Sequence, residues 1–597
     1  MTIEDLARVR RLKQFSISPN GSAIAYAVYQ ALPEENRYEV RWFVQSTDAR
    51  SPPRPIGVDG GQPIAARAYG LPMGAIVPPK AEWSKDGRFI AFQRQEGDRI
   101  ELWVADATSL RAERVTDGQS QVDAFVWTGD GRLIWRTSLN VALFEQALQR
   151  EEAHGWLDDG RTQRIGGRQR PTPPDCSHQR LDEPGCDRRV WTWSRGRGAQ
   201  LGEAADAAEL LQARPPARAH GVPSTESEPT RQWTQRVGGE GGAQLGLRIA
   251  RLKERNGASP LVRVSVETSE GLIDCLAQAC EGLRYRGLGW VNERVVWFVR
   301  AEASSGRSWG APFDRSSIYT WTVGEDAPRR LATADLLQDC ERTGDNLICL
   351  RETLFAPSHL VSVSVQTGSV TVLADPNPEL AQKAHPDVRR FEVVDDEGNP
   401  GMAYLVYPNG YRPGAAYPLV VTQYNQVGFL DGQVGGEYPI LPLAARGYAV
   451  LSLHRPNRYH DYRIKPSADV SQGHWVGFED RVRMQTFISK AVDEVVREGV
   501  ADPARIALTG LSNGAENTHW LLQRTDRFAA AIVSSGDYDR SHFALLPRGA
   551  ARAGYMHYLS TDTVYPDDTS LLAQLSWSSR APTDLQTPLL INVGEYE

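Results

Sequence analysis

The segment Arg505-Ile506-Ala507-Leu508-Thr509-Gly510-Leu511-Ser512-Asn513-Gly514-Ala515-Glu516-Asn517-Thr518-His519-Trp520-Leu521-Leu522 constrains the fold more than any other part of the chain. Its apolar start reads as a buried strand, Gly510 to Gly514 as a tight turn, and the residues after Ser512 as a helix. That is the layout of a nucleophile elbow. Such a turn holds its serine in strained backbone geometry. Small residues two positions to each side let strand and helix approach, so both Gly510 and Gly514 are expected to have a steric role. The Ser512 hydroxyl is expected to stand exposed at the carboxyl edge of a sheet, above a helix N-terminus whose free N–H groups favour developing negative charge.

The surroundings of the elbow alternate between strand and helix. Strands are expected at 390–394, 403–407, 418–423, 448–453, 528–534 and 588–593. A long helix is expected at 479–498, with Met484, Phe487, Ile488, Ala491, Val492 and Val495 on one stripe and Gly499 as its stop. This alternation predicts a mostly parallel sheet flanked by helices, with the site at its carboxyl edge.

Upstream, a different pattern repeats. Ser18-Pro19-Asn20-Gly21 opens a strand at 22–29, Trp83-Ser84-Lys85-Asp86-Gly87 one at 88–93, and Trp127-Thr128-Gly129-Asp130-Gly131 one at 132–137. Asp130 follows Asp86 by 44 residues, about the length of one four-stranded propeller blade. Trp290-Val291-Asn292-Glu293-Arg294 before 295–300 is a weaker copy. The fold class expected is an N-terminal β-propeller over 12–375 and a C-terminal α/β domain over 376–597, with a short helix over residues 3–11. An insertion interrupts the propeller at about 141–230. Residues 141–156 are expected to be helical, and 161–228, rich in Arg, Pro, Gly and Ala, irregular and partly mobile. Glu151 and Glu152 on the helical part form an acidic pair that reads either as an amine-binding site or as a solvated helix face.

At 597 residues and 41% hydrophobic, the chain has enough apolar material for at least two cores. A net charge of -7 gives no reason to expect nucleic acid or an anionic membrane as partner, and no apolar run approaches the length of a transmembrane helix. Residues 1–11 hold no apolar signal core, so a leader is expected to be absent or removed. The six cysteines fall into three local couples, 176 with 186, 275 with 280 and 340 with 349. Local, even pairing suits small disulfide-closed loops and an exported, periplasmic protein, with a cytosolic protein carrying six thiols as the alternative. Zinc is not expected, because no paired metal-ligand spacing accompanies them.

A propeller followed by a Gly-x-Ser-x-Gly α/β-hydrolase domain resembles the prolyl oligopeptidase family of serine peptidases. The resemblance implies three groups besides Ser512. The first is an oxyanion donor pair, the Tyr424 hydroxyl at the strand end Val420-Val421-Thr422-Gln423-Tyr424-Asn425 and the Asn513 backbone N–H. The second is an acid in a Gly-x-x-acid pattern after the last strand. Gly594-Glu595-Tyr596-Glu597 puts Glu597 there, with Glu595 as competitor. The third is a histidine after the acid, and the expectation is that it lies beyond residue 597. His519 is seven residues along the elbow helix, about 10 Å by helical rise, and His454 and His474 stand in the wrong chain order to serve as the base.

Within that family, several stretches are similar to the lasso-peptide isopeptidases. They are Gly510-Leu511-Ser512-Asn513-Gly514-Ala515, Gln423-Tyr424-Asn425-Gln426-Val427-Gly428-Phe429-Leu430-Asp431-Gly432 and Ala444-Ala445-Arg446-Gly447-Tyr448-Ala449-Val450-Leu451-Ser452, together with the glutamate acid. That resemblance implies hydrolysis of the amide between a peptide's N-terminal amine and an Asp or Glu side chain. It implies no metal or organic cofactor, and a lasso peptide as partner in the cleft between propeller and hydrolase. Two other readings stay open: a general oligopeptidase of dipeptidyl or acylaminoacyl type, and a propeller binding protein whose hydrolase domain is dead.

Overall fold

The computed structural model describes the chain apart from residues 69–70, 78–79, 98, 119, 155–161, 166–167, 172–185, 187–188, 204, 207–209, 211–240, 246–247, 256–258, 283, 304–313, 397, 424–425, 433–437, 457–477, 535–584 and 593–597. In its N-terminal part the described residues form six antiparallel sheets of four or five strands in chain order. The repeated turns have one geometry. The Gly21, Gly87 and Gly131 N–H groups donate to the Ser18, Ser84 and Thr128 carbonyls at 2.8, 2.8 and 3.2 Å, and all three glycines sit at positive φ (72°, 70° and 84°). The Ser18, Ser84 and Thr128 hydroxyls accept from the N–H groups of Ala23, Phe89 and Arg132, each at 2.9 Å. The turn chemistry is therefore local, which is why it repeats in the sequence.

The tryptophans of that repeat reach backwards. Trp83 Nε1 donates to the Ser16 carbonyl (3.0 Å), Trp127 Nε1 to Glu82 (3.1 Å) and Trp290 Nε1 to Ala243 (3.0 Å). Each indole buries its rings between two sheets and spends its single donor on the sheet before it. Apolar clusters join the first sheet to the second, the second to the third, the fourth to the fifth and the fifth to the sixth. The sixth returns to the first through Ile348, Leu350, Leu360 and Leu373 against Leu12, Phe15, Ile24 and Tyr26. Across that seam Gln45 Nε2 donates to the Leu373 carbonyl (2.6 Å) and Thr343 Oγ1 to Gly21 (3.0 Å). The sixth blade thus closes on the first through side chains, and among the described strands none of the first sheet pairs with the sixth.

Two expectations need correction. Strands Val190–Ser194 and Gly198–Leu201 lie inside the stretch read as an irregular insertion, yet they are the third and fourth strands of the third sheet. Val190-Trp191-Thr192-Trp193 is a β-prone run too short to stand out from the Arg- and Gly-rich sequence around it. Of the stretch 161–228 expected to be partly mobile, residues 172–185 and 211–228 lie outside the described ones. The N-terminal helix is also shorter than expected, Ile3–Ala7, because Arg11 already begins a strand. The helix Val141–His154 carries Glu151 and Glu152 in its last turn.

Cys275–Cys280 and Cys340–Cys349 are disulfide-bonded; the third couple includes Cys176, which is outside the described residues. Closing loops this small removes about 2 kcal/mol of chain entropy per bridge from the unfolded state. Reductant is therefore expected to lower the melting temperature, and Cys340→Ala/Cys349→Ala to reproduce part of that loss without reductant.

In the C-terminal part the described residues form a seven-stranded sheet in the order Val388–Val394, Pro400–Val406, Ala449–His454, Tyr417–Thr422, Ala501–Leu511, Ala530–Ser534, Leu589–Asn592. The first three strands pair antiparallel and the rest parallel. Helix Glu479–Arg497 buries Met484, Phe487, Ile488, Ala491, Val492 and Val495 against Leu419, Val421, Ile506 and Leu508, so its apolar stripe faces the sheet. Among the described residues no helix is long and apolar enough to cross a membrane.

Candidate active site

Strand Ala501–Leu511 ends in Ser512, and helix Asn513–Leu522 begins immediately after it. Ser512 adopts φ 52° and ψ -120°, a region that costs a non-glycine residue on the order of 1–3 kcal/mol and is held only by its surroundings. The hold is visible. The Ser512 N–H donates to the Ser534 carbonyl of the next strand at 2.9 Å, and the Ser512 carbonyl accepts from Ala515 and Glu516 at 2.9 and 3.2 Å. Both backbone groups are fixed while the side chain is exposed. The Asn513 and Gly514 N–H groups that start the helix have no acceptor within it by its geometry, and this end of the helix crowns the site with positive potential.

The two elbow glycines are not equivalent. A Cβ on Gly510 would overlap the Gly514 carbonyl and lie 2.7 Å from the Ala515 nitrogen, so strand and helix can approach this closely only with glycine at 510. A Cβ on Gly514 would meet the Gln423 side chain at 3.5 Å, an ordinary contact. The steric role expected of Gly514 is therefore absent; its side-chain direction points to a flexible neighbour rather than to the strand.

Beneath the elbow lies a buried polar network that sequence reasoning missed. Gln423, directly after strand Tyr417–Thr422, spans the Thr509 carbonyl (3.2 Å), the Gly514 carbonyl (3.1 Å) and Thr518 Oγ1 (3.1 Å) with its Nε2, and accepts from Asn517 Nδ2 (3.3 Å). The Arg481 guanidinium, fully buried on the long helix, donates to Asn517 Oδ1 (2.6 Å) and pairs with Glu516. Glu516 in turn accepts from Asn513 Nδ2 (3.0 Å), and Asn513 Oδ1 accepts from Arg455 Nη1 (2.8 Å). The side-chain amide of Asn513 is thereby held from both sides, beside the nucleophile. A polar residue on a helix ordinarily reads as a solvated face. The signal available was Glu516-Asn517-Thr518, three polar residues in a row on a ten-residue helix that has no other charged side chain in its first turn.

His454 is buried and His519 half-buried, and desolvation pushes each imidazole down to about 4. His454 Nδ1 is 2.8 Å from the Gln426 carbonyl. Among the described residues no hydrogen bond links a histidine to Ser512. Tyr424, His474, Glu595 and Glu597 lie outside the described residues, as does Asn425. Among the described residues no group of three His, Cys, Asp or Glu side chains is placed to hold a metal ion.

The depressed imidazoles give a pH dependence of stability. The unfolded chain binds their protons near pH 6.5 and the folded one only near pH 4, so the stability they contribute is complete above about pH 6.5 and is lost as pH falls towards 4. For His454 alone the full shift corresponds to about 3 kcal/mol. The drop in melting temperature from pH 7 to pH 4.5 is expected to be smaller in His454→Gln than in the wild type.

The chain is 30% identical to the lasso peptide isopeptidase AtxE2 of Asticcacaulis excentricus over 591 residues, which covers 98% of this chain and 79% of the relative. Residues 482–596 match the prolyl oligopeptidase family. The chain belongs to that family of serine peptidases. The structure of AtxE2, as a serine-to-alanine variant with astexin3-dC4 bound, superposes with a TM-score of 0.85 at 26% identity, covering 100% of this chain and 88% of that one. The acylaminoacyl peptidase of Pyrococcus horikoshii shares the fold at a TM-score of 0.60 and 16% identity, covering 98% and 86%. The family membership accounts for the propeller and hydrolase parts together and for the strained serine within the hydrolase part.

Proposed function

We propose that the protein is a serine isopeptidase that opens lasso peptides by hydrolysing the amide between the N-terminal amine and an Asp or Glu side chain. The observation that carries this reading is the 30% identity to a lasso peptide isopeptidase across nearly the whole chain, together with a serine held exposed in an elbow. In the proposed mechanism Ser512 Oγ attacks the side-chain carbonyl of the isopeptide. A histidine oriented by the Glu597 carboxylate takes the serine proton and then delivers it to the departing α-amine. The Asn513 N–H and the Tyr424 hydroxyl hold the oxyanion, worth a few kcal/mol of barrier. Water, activated by the same histidine, releases the acyl-enzyme as a linear peptide and free serine. No metal or cofactor enters these steps. Closed disulfides at Cys275–Cys280 and Cys340–Cys349 support placing the protein in an oxidising, exported compartment.

The test is mass spectrometry of full-length protein with a lasso peptide, its unthreaded branched-cyclic isomer and a linear control. Gain of one water by the lasso form alone is the expected result. Cleavage of the linear control with the lasso form intact identifies a general oligopeptidase instead, and no turnover of any of the three identifies a binding protein.

A further inference from the structure

The segment Gln426 to Asp431 begins two residues after Tyr424 in the chain and is buried against the sixth blade. Glu352, on strand Asn346–Thr353 of that blade, accepts the Phe429 N–H at 3.3 Å. The Leu430 N–H donates to the Leu354 carbonyl at 3.0 Å. Asp431 pairs with Arg11 of the first blade at 2.6 Å. Phe429 and Leu430 are fully buried. Gly428, at φ 75°, lets the carboxylate approach: a Cβ there would overlap Glu352 Oε2 and lie 3.2 Å from Glu352 Cβ. Gln426 folds back on the same turn, its Nε2 reaching the Phe429 carbonyl (3.3 Å) while its own carbonyl meets His454 Nδ1 (2.8 Å).

The other side of Tyr424 is anchored as well, because Gln423 is bound into the elbow through the Thr509 and Gly514 carbonyls. Position 424 thus lies in the chain between one anchor on the nucleophile's helix and another on the propeller. We propose that Glu352 is a positioning residue for the reaction, which holds the Gly428–Phe429 turn on the sixth blade and through it sets the oxyanion donor. This rests on the reading of Tyr424 as that donor. The acid itself never touches substrate. It is almost wholly buried, and burial pushes its carboxyl up despite Lys13 and Arg11 nearby, with Asp431 adding to the rise. The amide of glutamine is therefore a close substitute as acceptor for Phe429.

An oxyanion donor acts in the transition state, so displacing it lowers kcat and spares KM. With a lasso peptide as substrate and full-length protein, Glu352→Ala and the bulkier Glu352→Met are expected to lower kcat by about 10- to 100-fold, on the scale of a misplaced catalytic group, with KM within about threefold. Glu352→Gln is expected to restore kcat to within about threefold of wild type. The deciding arm is Tyr424→Phe: in that background Glu352→Met is expected to cause no further loss of kcat, since the group it places is gone. An equal loss in both backgrounds, or a lowered melting temperature with kcat unchanged, overturns the positioning role. A Tyr424→Phe enzyme with full kcat instead overturns the oxyanion reading, while an impaired Tyr424→Phe beside an undamaged Glu352→Met sinks the role of Glu352 alone.

Discussion

Ser512→Ala is expected to lower kcat on a lasso peptide by about 10^4-fold or more while leaving peptide affinity within a few-fold. The hydroxyl is the only part of the residue that reaches out of the elbow; its N–H and carbonyl bind Ser534, Ala515 and Glu516. Alanine keeps those backbone bonds and occupies the same φ 52° with a side chain no larger, so the fold is expected to persist. Single-turnover mass spectrometry and calorimetric titration separate the two effects. A variant that still accumulates linear peptide would remove Ser512 as the nucleophile, whereas loss of binding together with turnover would mean that the elbow itself had collapsed.

The second large effect is expected at Gly510. Alanine there must push the Gly514 carbonyl away from the strand, and the displaced atoms are backbone held by the Gln423 amide and by the first helical turn. Overpacking of this kind costs about 3 kcal/mol, expected as a melting temperature lower by about 5–10 °C, with loss of activity because the serine moves with the helix. Gly514→Ala is the internal control. Its Cβ meets only the Gln423 side chain at 3.5 Å, and exchanging glycine for alanine within a helix lowers the entropy of the unfolded chain. Melting temperature and kcat are expected to stay within a small margin of wild type. Equal damage at the two positions would show that the elbow tolerates no side chain on either flank.

What could be read from residues alone was what local chemistry decides. The Ser/Thr-x-Asn/Asp-Gly turns are legible because each closes with its own hydroxyl and glycine, and the elbow because a strand, a tight turn and a helix follow one another without interruption. The apolar stripe on Glu479–Arg497 is legible for the same reason. Features that depend on distant partners were not. Gln423, Arg455, Arg481 and Glu516 come from four separate elements, and each looks like ordinary surface polarity until the fold buries them together. The third blade was misread where Val190–Ser194 hides in polar sequence. Gly510 and Gly514 look symmetric about the serine in sequence, but only the Cβ direction of Gly510 runs into the backbone of the facing element, while that of Gly514 meets the Gln423 side chain.

The joint between the first and sixth blades has a mechanical meaning. Within each blade the strands are laced by backbone ladders, whereas this joint, like those between the second and third, fourth and fifth, and fifth and sixth blades, is an apolar surface crossed by side-chain bonds, here Gln45 to Leu373 and Thr343 to Gly21. Blades joined this way behave as a split washer, able to widen by sliding at an apolar seam while each keeps its own hydrogen bonds. The cost of widening is then set by apolar area rather than by broken ladders, so cooling, which weakens apolar contact, makes the washer easier to spring.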